Sequence, residues 1–130
     1  MARILIVDDD ADIRTLFSLG LLRSGHDITV ASNGAVAWQK LTAQPLDLLI
    51  TDLTMPVMDG LVLLRRLRAD GHPTLPVVVV SAHAEHRAAA FQAGANAFLA
   101  KPVGLAQLRT VVEALLTPGQ PASASSGSTI

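Results

Sequence analysis

The sequence predicts an α/β domain, a parallel five-stranded sheet covered by helices on both faces. Three observations carry this. Five short apolar runs alternate with five stretches of helical periodicity, the arrangement that gives parallel strands joined by right-handed crossovers. Two of the runs, Leu48-Leu49-Ile50 and 76–80 (PVVVV), are continuously apolar, as strands buried on both faces must be. Polar residues of complementary charge cluster where the runs stop, the edge at which open α/β sheets bind ligands.

Residues 3–7 (RILIV) form the first predicted strand, which stops at Asp8-Asp9-Asp10. A helical period follows from Asp12, with Ile13, Leu16, Phe17 and Leu21 on the inner face and Ser24-Gly25 as the stop; Asp10 is placed to cap it. Residues 27–31 (DITVA) mix polar and apolar side chains, as an edge strand does. Asn33-Gly34 opens a helix bearing Val36, Ala37 and Leu41, ending before Pro45. The third strand ends at Asp52, and Asp59 is the predicted cap of a helix carrying Leu61, Leu64 and Leu67. After the fourth strand comes Ser81, then an alanine-rich helix over 84–93 closed by Gly94. Residues 97–100 form a short fifth strand ending at Lys101-Pro102, and Leu105, Leu108, Val112 and Leu115 mark the last helix. Residues 118–130 (PGQPASASSGSTI), uncharged and without periodicity, read as a flexible tail or linker after a domain spanning 1–117.

Composition narrows the functions. With 130 residues and half of them hydrophobic, one core is expected; zero cysteines exclude disulfides and thiolate metal sites. Ten basic against eleven acidic residues give a net charge of −1 and no general drive toward nucleic acid or an anionic membrane. No apolar run approaches the roughly 18 residues of a spanning helix, and a strand starting two residues after Met1 leaves no room for a signal peptide, so a soluble cytoplasmic protein is expected.

In a doubly wound sheet the first and third strands are neighbours, which brings Asp8 and Asp9 beside Asp52. Three carboxylates that close repel unless a cation compensates. Oxygen ligands with positions left open for water or phosphate fit Mg²⁺. Ser81 offers a hydroxyl and Lys101 an ammonium, groups that bind phosphoryl oxygens, with Asp52 as the nucleophile. His26, His72 and His86 lack metal-ligand spacing and are expected at surface or turn positions. Trp38, on the second helix, is expected away from these strand ends.

The acidic pair Asp8-Asp9, Asp52 in ITDLTMPVMDG, Ser81 in VVVVSA, and Lys101-Pro102 after Phe98 resemble the receiver domain of two-component response regulators, of the single-domain chemotaxis-regulator kind, over nearly all of 1–117. The resemblance implies a flavodoxin-like fold with strand order 2-1-3-4-5, Mg²⁺ held through Asp8, Asp9 and Asp52, and a cis Lys101-Pro102 bond. It implies that Asp52 accepts a phosphoryl group from a histidine kinase or histidine phosphotransfer protein, in a self-catalysed transfer followed by slow loss to water. It implies a switch through Ser81 and Phe98, rate tuning by Thr54 and His83, and output to a downstream protein through the fifth strand and last two helices, where Arg87, Arg109 and Glu113 lie. Phe98 stands where the family often has Tyr and, without a hydroxyl, is expected to favour the inward rotamer. Two rival readings are a haloacid-dehalogenase-type phosphotransferase using Asp8 with Asp10, and a receiver-like module that binds without being phosphorylated.

Overall fold

The computed structural model describes residues 2–53 and 59–117. Thr54 and the expected tail at 118–130 lie outside the described residues. Five parallel strands, β1 (Arg3–Val7), β2 (Asp27–Ala31), β3 (Leu48–Thr51), β4 (Val77–Ser81) and β5 (Ala97–Ala100), lie in the order β2-β1-β3-β4-β5. The helices between and after them are α1 (Ala11–Leu22), α2 (Gly34–Ala43), α3 (Gly60–Ala69), α4 (Arg87–Ala93) and α5 (Leu105–Leu116). This is the flavodoxin-like (βα)5 fold, with β3 central and β2 and β5 at the edges.

Successive strand side chains point to opposite faces, so each buried strand serves two cores. Leu5, Val7, Leu49, Val77, Val79 and Phe98 pack with α2, α3 and α4 through residues such as Leu41, Leu63, Leu67 and Ala90. Ile4, Ile6, Leu48, Ile50, Val78, Val80 and Leu99 face the other way and meet Phe17 and Leu21 of α1 and Leu108 and Val112 of α5. The unbroken apolar runs follow from this double coverage. Caps fix where helices begin: Asp10 accepts from the Asp12 and Ile13 amides, and the Asp59 side chain accepts from Val62.

Three local expectations are corrected. Leu16 is exposed, because α1 turns Gly20 toward α5, where a Cβ would come within 2.9 Å of Leu105 Cδ2. The helix expected over 84–93 begins as a 3-10 turn, Ala84–His86, before α4, with His86 at φ −83° and ψ −1°. His26 is buried, not on the surface: Nδ1 accepts the Ala2 amide at 3.2 Å and Nε2 lies 2.6 Å from Glu113 Oε2 on α5.

Candidate functional site

Parallel register brings four strand ends to one edge. Val7 pairs with Thr51 and Ser81 with Ala100, so the residues that follow converge. The Asp52 amide donates to Val7 O at 3.0 Å, and the Lys101 amide to Ser81 O at 2.8 Å, extending the ladders just past the strands.

Asp8, Asp9 and Asp52 each offer a carboxylate oxygen, and the three atoms lie within 4.8 Å of one another. Asp8 and Asp52 are buried and Asp9 is exposed. Lys101 Nζ reaches between the buried pair, 3.0 Å from Asp8 Oδ2 and 3.2 Å from Asp52 Oδ2. The remaining oxygens of both are also held: the Asp10 amide donates to Asp8 Oδ1 at 2.9 Å and the Leu53 amide to Asp52 Oδ1 at 2.7 Å. Arg14 Nη1, reaching back from α1, donates to the Asp8 carbonyl at 2.7 Å. This contact has no obvious sequence signal beyond a basic residue one helical turn into α1.

Burial pushes the Asp8 carboxyl above its ordinary value, against the lowering effects of the Asp10 amide and of Lys101. For Lys101, burial works to depress the ammonium, but the Asp8 and Asp52 carboxylates outweigh it and hold the group above its usual value. Three carboxylates against one ammonium leave two negative charges in excess. An all-oxygen donor set with that excess suits a hard divalent cation and fits Mg²⁺.

Ser81 is fully buried, and its Oγ accepts the His83 amide at 3.0 Å. Phe98, on β5, is buried in the core beneath the site. The Lys101-Pro102 bond is cis. Asp8, Asp9, Asp52 and Lys101 are thus brought together, with Ser81 and the exposed His83 on the adjoining strand end.

Residues 4–113 match the family described as response regulator receiver domain. The chain belongs to this family. Among curated relatives, the transcriptional regulatory protein PrrA of Mycobacterium tuberculosis is 38% identical over 130 residues, covering 98% of this chain and 55% of PrrA. The DNA-binding transcriptional regulator NtrC of Escherichia coli is 38% identical over 110 residues, 83% of this chain and 23% of NtrC. The receiver thus spans about half or less of these relatives. Among solved structures, the chemotaxis response regulator CheY4 of Vibrio cholerae superposes with a TM-score of 0.85 at 28% identity, covering 89% of this chain and 99% of that one. The response regulator TrrA of Thermotoga maritima, in complex with Mg²⁺-BeF, gives 0.83 at 30% identity, covering 89% and 100%.

Proposed function

We propose that this receiver domain takes a phosphoryl group onto Asp52 from the phosphohistidine of a histidine kinase or histidine phosphotransfer protein, with Mg²⁺ held by Asp8, Asp9 and Asp52. The observation that carries the reading is the position of Lys101 Nζ between Asp8 and Asp52, which aims an ammonium at the place where phosphoryl oxygens would gather. Support for the ion comes from the donor geometry and from the Mg²⁺-BeF complex of TrrA. Mg²⁺ would screen the repulsion between carboxylate and phosphate.

The Leu53 amide fixes the Asp52 rotamer through Oδ1 and leaves Oδ2 facing Lys101. A carboxylate oxygen of Asp52 attacks phosphorus; the new O–P bond replaces the donor's P–N bond, whose electron pair stays on the imidazole nitrogen. An ionised carboxylate needs no general base. Lys101 stabilises charge on the phosphoryl oxygens, and Ser81 has a hydroxyl proton to donate to one of them. Water later attacks phosphorus and restores the carboxylate, at a rate tuned by the residues at Thr54 and His83. Ser81 and Phe98 form the switch, and the α4, β5 and α5 face speaks to a downstream protein partner.

The domain acts in the cytoplasm without itself contacting nucleic acid or membrane; among the described residues no helix is long and apolar enough to cross a membrane. The names of PrrA and NtrC support transcriptional output in a longer relative. The haloacid-dehalogenase-type reading is not favoured, because Asp10, its second acid, is engaged as the cap of α1.

Incubation with acetyl phosphate and Mg²⁺, followed by intact mass, tests the assignment. Wild type should gain one phosphoryl mass only with Mg²⁺, and Asp52→Asn should gain none. No gain on wild type would put the phosphorylation-independent module ahead, and a phosphoryl group on Asp8 would restore the rival enzyme.

A further inference from the structure

Helix α1 leaves a stripe of side chains uncovered on the outside of the domain. Leu16 and Leu19 are 45% and 57% exposed, and Leu22 and Val30 of the neighbouring edge strand, also exposed, flank them. Apolar side chains gathered on one exposed face, unlike the same number scattered singly, mark a surface that something else covers. With 3.6 residues per turn, Asp12, Leu16, Leu19 and Arg23 fall within about 60° of one another around the helix axis, and all four are exposed. Arg23, the cap residue, keeps helical backbone angles at φ −63° and ψ −24°, so the stripe runs the full length of α1.

The order of residues along this stripe identifies its occupant. The steps from Asp12 to Leu16 to Leu19 to Arg23 are four, three and four residues, the alternation with which two helices pack side by side at a small crossing angle. The pattern reads the same from either end, while the charges at its ends are opposite. An antiparallel copy of α1 therefore sets Leu16 against Leu19 and Asp12 against Arg23, each contact made twice about a two-fold axis. Among the described residues neither Asp12 nor Arg23 has an ion pair within the chain. A uniformly acidic or uniformly basic helix would meet a like charge at one end of the stripe; a second copy of α1 meets none.

Shape agrees with charge. A groove of about 190 Å³ runs between α1 and α5, lined by Gly20 and walled by Leu16, Leu19, Leu105, Arg23 and Arg109. The leucines of a second copy have this groove to enter, and its Asp12 carboxylate would meet a basic end made of Arg23 together with Arg109. We propose that α1 is a self-recognition surface, through which two copies of this chain form an antiparallel α1–α1 dimer. Two helices of twelve residues make a contact at the small end of specific interfaces, so the dimer is a transient one.

Sedimentation velocity of the unphosphorylated chain without Mg²⁺, at concentrations rising to about 1 mM, covers the affinity range of such a contact. Wild type should pass from monomer to dimer as concentration rises, less readily at high salt. Asp12→Arg and Arg23→Asp should each weaken association at least about tenfold, because each sets like charges opposite one another at both ends of the helix pair. An equimolar mixture of the two variants should restore it, since one copy then carries arginine at both ends of the stripe and the other aspartate. Leu19→Ser should abolish the dimer at these concentrations, whereas Val62→Ser, at an exposed position on α3, should leave it unchanged. A wild type that stays monomeric would overturn the proposal and leave a helix of another protein as the cover. Charge variants that dimerise as wild type does, or a mixture that associates no better than either variant alone, would also overturn it. No phosphoryl group is read, so the result stands apart from the assignment of Asp52.

Discussion

Lys101 Nζ stands 3.0 Å from Asp8 Oδ2, an ammonium set against a carboxylate that burial pushes above its ordinary value. The raised value of Asp8 means that its ionised form is disfavoured in the fold relative to the unfolded chain. That penalty is absent below the ordinary value of 3.8, where both states are protonated, and develops as pH rises through the folded value. Without metal at pH 7, Asp8→Asn should therefore melt roughly 2–5 °C higher than wild type, the size of a change of about 1 kcal/mol in a domain of this length. The gain should shrink as pH falls toward 3.8. Adding Mg²⁺ should stabilise wild type more than the variant. Melting curves across pH, with and without Mg²⁺, check both signs.

Gly60 opens α3 directly beneath Asp52. Its amide donates to Leu53 O at 2.9 Å, and a Cβ there would collide with the Asp52 carbonyl and with Leu53 Cα at 2.8 Å. The colliding atoms are backbone and cannot rotate away. Gly60→Ala should cost about 1–3 kcal/mol and slow Asp52 phosphorylation at saturating Mg²⁺, since the carboxylate moves with its backbone. Chemical denaturation and the acetyl phosphate assay report the two effects.

Arg68 joins several elements through one guanidinium. It donates to Gly94 O at 2.6 and 3.1 Å, to His72 O at 2.9 Å and to Asn96 Oδ1 at 3.0 Å, and Asn96 Oδ1 also accepts the Val77 amide. Arg68→Ala removes the donor to two main-chain carbonyls and should destabilise the domain by about 2–4 kcal/mol, given about 1–3 kcal/mol for each buried group left unpaired. A lysine, with no planar fork, should recover only part of this. Denaturation midpoints of the three proteins give the comparison.

Phe98 is 2% exposed. Phe98→Tyr should populate an outward ring in the unphosphorylated protein, because the added hydroxyl gains by reaching water. Aromatic NMR should show one buried environment for Phe98 and an exposed population for tyrosine. Equal inward populations would remove the proposed bias.

The sheet was legible because its strands are buried on both faces, which leaves runs such as 76–80 without a polar break. The candidate site was legible because Asp8, Asp52 and Lys101 each come just after a strand and Ser81 ends one. What escaped had no local signature. His26 looks like a turn residue beside Gly25, and Glu113, whose carboxylate meets its ring, is 87 positions away. Arg68 follows Arg65 and Arg66 on α3 and reads as one more solvated charge, although it bonds to residues 26 and 28 positions further on. Leu16 fits the inner period of α1, but the close approach at Gly20 rolls it outward. In each case the deciding contact is tertiary and far off in sequence.

The Arg68 clamp lies at the amino ends of β4 and β5, whereas the carboxylate cluster lies at the carboxyl ends of β1 and β3. A protein engineer consequently has two separate handles on one small domain. Substitutions around the clamp would set the temperature at which a reporter built on this domain fails, while substitutions at the opposite rim would change the charge of the carboxylate cluster and leave the clamp intact.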